Sequence, residues 1–406
     1  MNGTRRACPV CANDAGSSLW RQRYALFDDS TLPRATELVA CAECAMVYAR
    51  SSASADDYRA HYARHSKYDT ACAASGSGES PLDRARINAL VDALEVNRPA
   101  SASILDIGAG RGGILRAFRE RGFSDLTAID PSPGCVAAMR EEGFDAHACD
   151  LEAETWPIDP KRFDLIILSH VLEHVFDAAA ALRNVVRRLS KAGAIYVEVP
   201  DAGRYSTAGF PPYYFLDPEH INHFDEAALC QLAGRCGLRV THALHRNLDV
   251  GSTSSYPAIG VTMVHARADA RRAAAETSDE TSGKTSVAMG HYLDACAHQT
   301  NASRVSESVD RLIRKGRRVV VWGAGSHAQR VFANTSLLEA PIDCLIDSDP
   351  GKQGRRLAGH EVVSPELGLQ RAKASGAAVA IAIAVGGGAV EAAIRTAMPD
   401  AEVWSL

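Results

Sequence analysis

Four cysteines stand as two Cys-x-x-Cys pairs, Cys8/Cys11 and Cys41/Cys44, with 29 residues between the pairs. Four thiolates so spaced can close a tetrahedral site on one Zn²⁺, and a site with four protein ligands has no open position and is structural. Such a metal would replace a core that the short segment cannot build; the alternative is four reduced thiols. A second group is Leu105-Asp106-Ile107-Gly108-Ala109-Gly110, whose glycines allow a tight turn that a ligand can approach without meeting a Cβ. Asp130 is placed to accept two ribose hydroxyls. Asp106 suits a cationic amino-acid end or an ordered water, and Asp150, just before Leu151, can reach an adenine amino group. The third group is Glu219-His220, with His223 close behind; an imidazole titrating near neutrality is a suitable general base. His174 is a second candidate, with a capping or packing role as its alternative.

The elements that must position these groups read as an α/β protein. From 81 to 266 apolar strand runs alternate with amphipathic helices, the pattern of a doubly wound parallel sheet with helices on both faces. Strands are expected at Ser103–Ile107, Asp125–Ile129, Ala146–Ala148, Phe163–Ser169, Ala194–Val199 and Tyr256–His265. The glycine turn sits between a strand and a helix, the context that gives such a motif meaning. The Glu219-His220 segment follows the strand ending at Val199, at the sheet edge where such folds bind ligands. Residues 1–70 read as a loop-rich zinc-binding domain, and Ala71–Ser80 as a linker or lid. Residues 267–315 read as a linker with helical parts: Asp269–Glu276 favours helix and Thr277–Ser286 a break. A second strand–turn–helix unit opens at 316 with Val319-Val320-Val321-Trp322 and Gly323-x-Gly325-x-x-Ala328, and Asp347 closes its next strand. That is a fair dinucleotide fingerprint, although no evident hydride-transfer residues follow it. The expectation is a Rossmann-like domain, 316–406, that holds the nucleotide part of a substrate or frames the cleft.

The turn Leu-Asp-Ile-Gly-Ala-Gly-x-Gly-Gly, with Phe163-Asp164-Leu165-Ile166-Ile167 and the segment His170 to Val175, resembles motif I and the following motifs of class I S-adenosylmethionine-dependent methyltransferases. The full arrangement resembles the sugar C-methyltransferases of deoxysugar biosynthesis, a natural-product pathway class. The C-terminal segment Ile346-Asp347-Ser348-Asp349-Pro350-Gly351-Lys352-Gln353-Gly354-Arg355 looks like that family's Asp-x-Asn-Pro-x-Lys-Gln-Gly-Arg stretch. The resemblance implies S-adenosylmethionine as cofactor, bound by Asp106, Gly108, Gly110, Asp130, Asp150, Leu151 and His170, and a structural Zn²⁺ on Cys8, Cys11, Cys41 and Cys44. It implies methylation at carbon of a nucleotide-linked keto sugar, with His220 removing the proton α to the ketone, Glu219 orienting His220, and His174 nearby. Tyr58, Tyr62 or Tyr68 is expected to cover the sugar. The family's Tyr-x-Glu-His reads Asp217-Pro218-Glu219-His220 here, so Tyr213 or Tyr214 must replace the missing phenol.

The 406-residue chain is long enough for two or three domains, and its 46% hydrophobic and 23% charged residues are ordinary for a globular protein. A net charge of −5 gives no basic stripe for nucleic acid, and no apolar run suggests a membrane partner. Without a signal core, a cytoplasmic enzyme with a small-molecule substrate is expected. The alternatives are O- or N-methylation of a sugar or small natural product, and a zinc-bearing adaptor that has kept a nucleotide pocket.

Overall fold

The computed structural model describes residues 6–65, 80–96, 98–250, 254–266, 284–301 and 304–406. Tyr68, the stretch Asp269–Glu276 and nearly all of the expected linker at 71–80 lie outside them.

The N-terminal segment was expected to be loop-rich, yet it holds three strands, β1 (Gly16–Arg23), β2 (Ala35–Cys41) and β3 (Val47–Arg50), then helix α1 (Ala55–His65). β1 is mostly polar and has a register irregularity between Ser18 and Trp20, and β3 is only four residues long and buried throughout, so neither carries an alternation that can be read. The central unit follows as α2 (Pro81–Glu95), β4 (Ile104–Ile107), α3 (Gly113–Glu120), β5 (Leu126–Asp130), α4 (Pro133–Glu141), β6 (Asp145–Ala148), β7 (Phe163–Ser169), α5 (Ala178–Val186) and β8 (Leu189–Pro200). It closes with β9 (Asn222–His223), α6 (Glu226–Arg235), β10 (Leu238–Val250) and β11 (Ser254–His265). Four of its five described α-helices start on side-chain caps, where Ser80, Ser132, Asp177 and Asp225 each accept a backbone N–H of the first turn, while α3 starts on Gly112 without one.

The seven-stranded sheet runs β10-β11-β8-β7-β4-β5-β6. β6, β5, β4, β7 and β8 are parallel, while β11 lies antiparallel against β8 and β10 against β11. The antiparallel hairpin β10-β11 thus extends one edge of an otherwise parallel, doubly wound Rossmann-like sheet. Alternate side chains feed two cores. Ile104, Leu165 and Ile167 pack on α2, α3 and α4, and Leu105, Ile166 and Val197 pack on α5 and α6. Burial on both faces is why the strands read as continuous apolar runs.

The small N-terminal sheet is completed by β9, which pairs with β3 through Val47↔His223 and Tyr48↔Asn222. Cys8, Cys41, Met46 and Tyr48 share one apolar cluster with the central sheet. Two helices, α7 (Lys284–Asn301) and α8 (Arg304–Lys315), account for the described residues between 284 and 315, so residues 284–286 of the expected break are helical. Met289, Tyr292 and Cys296 of α7 pack in one cluster with Phe215 and Tyr205 and with Leu38 and Val47 of the N-terminal sheet. The last unit is β12 (Val319–Trp322), α9 (Ser326–Asn334), β13 (Ile342–Ile346), β14 (Arg356–Leu357), β15 (His360–Val363), α10 (Pro365–Ser375), β16 (Ala378–Ile381), α11 (Gly387–Ala397) and β17 (Val403–Ser405). Its sheet order is β14-β15-β13-β12-β16-β17, with β12 flanked by parallel β13 and β16.

Candidate active site

A cavity of about 950 Å³ lies over the carboxyl ends of the central strands, the place where doubly wound sheets bind ligands. The turn after β4 forms part of its wall. Gly108, Gly110 and Gly112 have φ of 66°, 54° and 78°, left-handed values that glycine alone adopts without strain. A Cβ on Gly108 would also stand 2.7 Å from Cγ2 of Val171. Asp130, at the end of β5, fixes the turn by accepting the Gly110 N–H at 2.9 Å and the Ser132 N–H at 2.8 Å. The Asp106 side chain is 2% exposed and its Oδ2 has no hydrogen-bond partner. Burial, and then the neighbouring Asp130, push its carboxyl well above the usual range. Asp150 accepts the Glu152 N–H at 2.9 Å, faces Arg59 at 3.4 Å, and lines the cavity with Leu151.

The end of β7 supplies a second charged wall. His170 adopts φ of 56°, a strained value of the kind that collects at functional sites. Its Nδ1 lies 3.2 Å from Glu173 and its Nε2 3.5 Å from Glu198. Burial lowers the His170 pKa, but the two glutamates outweigh it and lift the imidazole to about 9. Glu198 is driven up by burial and down more strongly by His170, Arg246 and Tyr196, ending at about 2. The Oε2 of Glu173 is buried without a partner.

Two chain segments far apart in sequence meet beside this wall. His174 and His220 have ring centroids 4.8 Å apart at 76°. The segments are laced together: the Ile221 N–H donates to the Glu173 carbonyl at 2.8 Å, and the Asn222 amide donates to the Leu172 and Val175 carbonyls, each at 2.7 Å. Tyr62 of α1 places its hydroxyl 3.1 Å from Nδ1 of His174, which itself lies 3.0 Å from the Glu219 carbonyl. The Glu219 carboxyl is 3.5 Å from Nε2 of His61, a neighbour the sequence did not suggest. Tyr214 stacks on Phe210 at 4.1 Å and lines the cavity, whereas Tyr213 stacks on Trp20 at 4.9 Å.

The four paired cysteines converge. Cys8 and Cys44 sulfurs are 3.5 Å apart, Cys11 and Cys41 sulfurs 3.4 Å, and all four lie within 4.8 Å of one another. Zinc–sulfur bonds of about 2.3 Å in a tetrahedron place sulfurs roughly 3.8 Å apart, so the donor set fits this metal. Arg6, just before the first knuckle, is 5% exposed. Its guanidinium donates to the carbonyls of Ala49, Ile221, Val175 and Phe176 and to the Asn222 side chain, at 2.6 to 3.2 Å. It thereby joins β3 to the residues immediately after His174 and His220. Burial lowers its pKa to about 10, which leaves it charged at neutral pH.

The cavity thus brings together Asp106, Gly108, Gly110, Asp130, Asp150, Leu151, His170, His174, Glu219, His220, Tyr62 and Tyr214. Sequence reasoning missed Glu173, Glu198, Arg6 and Tyr256. Glu198 did leave a trace, since it is a charged residue inside the apolar run Ile195–Val199.

Residues 82–243 match the methyltransferase domain family. Over 121 residues the chain is 31% identical to an uncharacterised methyltransferase of Mycobacterium bovis, a match covering 30% of this chain and 49% of that protein. It is 29% identical over 121 residues to the malonyl-[acyl-carrier protein] O-methyltransferase of Serratia marcescens, covering 30% of this chain and 47% of that one. The chain spans about half the length of these curated relatives. Among solved structures, the CcbJ methyltransferase from Streptomyces caelestis aligns with a TM-score of 0.38 at 14% identity, covering 51% of this chain and 98% of that one. No helix among the described residues is long and apolar enough to cross a membrane.

Proposed function

We propose that this chain is an S-adenosylmethionine-dependent methyltransferase that methylates carbon in a nucleotide-linked keto sugar, with His220 as the base. One observation carries the reading: the glycine turn with Asp106 and Asp130 opens on the same cavity as the crossed imidazoles of His174 and His220. The bound cofactor would supply an electrophilic methyl group. Asp130 would take its ribose, Asp150 and Leu151 its adenine, and Asp106 its cationic amino-acid end. The acidic lining from Glu173 and Glu198 suits a positively charged donor. His220 would accept the proton α to the ketone, and the carbanionic carbon so formed would take the methyl group. His174, held by Tyr62 and the Glu219 carbonyl, would fix the facing ring, and Tyr214 would lie along the sugar. Glu219, placed between His61 and the histidine pair, would set the electrostatics of that base.

The test is turnover with methyl-labelled S-adenosylmethionine and nucleoside-diphosphate keto sugars in deuterated water. The expected product carries the label on carbon, with exchange of the α-proton. A label on oxygen or nitrogen overturns C-methylation and leaves His220 as the base for a hydroxyl or amine. That second reading has its own support, since an O-methyltransferase is among the similar proteins.

The buried Asp106 carboxyl gives a pH signature. Burial and Asp130 raise its pKa, and a cationic amino group beside it should lower it again and release any proton the unliganded carboxyl holds. Affinity for S-adenosylhomocysteine should therefore rise with pH until Asp106 ionises unaided. Calorimetry in buffers of different ionisation enthalpy should show proton release on binding; an Asp106→Asn variant that releases as much would refute the assignment. For the cysteine cluster, one structural Zn²⁺ held by Cys8, Cys11, Cys41 and Cys44 is the reading that their convergence supports. Metal analysis should find one zinc per chain, reduced in Cys44→Ser; a metal-free, fully folded protein contradicts it.

A further inference from the structure

Two imidazoles and a buried carboxylate meet on the wall of the cavity. Glu173, His174 and His220 each bring a ligand atom within 4.8 Å of the other two, and all three line the cavity. A proton transfer to His220 does not need Glu173, which is 1% exposed and has an Oε2 without a hydrogen-bond partner. A carboxylate oxygen so placed is costly unless a donor or a cation completes it.

The groups around these donors orient them for a metal. Nδ1 of His174 lies 3.0 Å from the Glu219 carbonyl, which only accepts, so the neutral ring carries its proton there and its lone pair on Nε2. Metal-bound histidines are fixed in the same way, by a carbonyl on the opposite nitrogen. That Nε2 is 4.0 Å from Oε1 of Glu173, and His170 holds the same Oε1 from its Nδ1 at 3.2 Å. Glu173 and His174 share the single turn Leu172–His174. The chain just after His220 is pinned to that turn through the Ile221 N–H and the Asn222 amide, so the three donors sit on two segments joined to each other.

Bonds of about 2.1 Å from zinc to imidazole nitrogen or carboxylate oxygen leave tetrahedral donors roughly 3.4 Å apart. The Glu173–His174 pair needs to close by only about 0.6 Å to reach that spacing. Two imidazoles with one carboxylate suit a borderline cation such as Zn²⁺, Co²⁺ or Ni²⁺, whereas Mg²⁺ prefers an octahedron of oxygens. Three protein donors also leave a coordination position for water, unlike the four-cysteine cluster.

We propose that Glu173, His174 and His220 form a metal site separate from the four cysteines, which takes a borderline divalent cation in place of the proton that His220 would accept. The bound cation occupies the lone pair of that imidazole and so inhibits methyl transfer reversibly. The inhibition rests on His220 being the base of the proposed function, whereas the site itself does not, and the experiment separates the two.

The full chain is titrated with Co²⁺ without S-adenosylmethionine, followed by visible absorption and calorimetry, with Mg²⁺ as the comparison. One equivalent beyond any held by the cysteines should bind, with ligand-field bands but no sulfur charge-transfer absorption, and Mg²⁺ should not compete. Glu173→Gln should lower that affinity at least about 10-fold, and its backbone carbonyl can still take the Ile221 N–H. His174→Asn, whose amide can reproduce the bond to the Glu219 carbonyl, should do the same and keeps the test decisive should the first variant misfold. Absence of a sulfur-free equivalent, competition by Mg²⁺, or wild-type affinity in either variant that melts like the wild type overturns the site. Co²⁺ bound as described should also stop methyl transfer, with activity returning after desalting. Binding as described with methyl transfer undiminished keeps the site and removes His220 as the base instead.

Discussion

His220→Ala is expected to lower methyl transfer by about 10²–10⁴-fold, the usual share of a positioned general base, while S-adenosylhomocysteine affinity stays within about threefold of wild type on the factor-of-ten-per-1.4 kcal/mol scale. The asymmetry follows from placement. His220 touches the His174 ring and the cavity, whereas the glycine turn is built by Gly108 and Gly110 after β4 and by Asp130 at the end of β5. His174→Ala should give a smaller loss, because that ring is already engaged by Tyr62 and the Glu219 carbonyl and so acts mainly on its neighbour. Full activity in His220→Ala would remove this histidine from the reaction.

Arg6→Met is expected to destabilise the protein by about 3 kcal/mol or more, since it strands several buried acceptors at once. Methionine keeps much of the apolar stem but none of the donors, and the acceptors belong to Ala49, Val175, Phe176, Ile221 and Asn222. The functional effect should follow the same map. Segments 175–176 and 221–222 immediately follow the two histidines, so a partly stable variant should lose kcat while keeping its affinity for S-adenosylhomocysteine. Denaturant unfolding and calorimetry measure the two effects, and a stability loss under about 1 kcal/mol would show that the network is dispensable. Because Arg6 adjoins the Cys8–Cys11 knuckle, and β3 after the Cys41–Cys44 knuckle pairs with β9 beside His220, the cysteine cluster is tied to the site through the same path.

How much was legible differs by element. The glycine turn was readable because its requirement is local: positive φ at Gly108, Gly110 and Gly112 needs residues without a Cβ. The parallel strands were readable from apolar runs buried on both faces. Strand β10, with its pattern of mostly exposed residues, was missed because an edge strand outside the core has little alternation to read. Tyr62 and Tyr214 were named on analogy, but only packing distinguished Tyr214, in the cavity, from Tyr213, on Trp20.

By itself the sequence determined the doubly wound sheet, the glycine turn with its acids at 106 and 130, and the four-cysteine pattern, since each is written in residue type and short spacing. Only the tertiary structure decided that His174 and His220 cross at 4.8 Å, that Arg6 ties the residues after them to β3, and that two glycine turns face one cavity. Burial and approach between distant segments depend on how whole elements pack, and a charged residue such as Arg6 carries no mark in its neighbours that it will end inside.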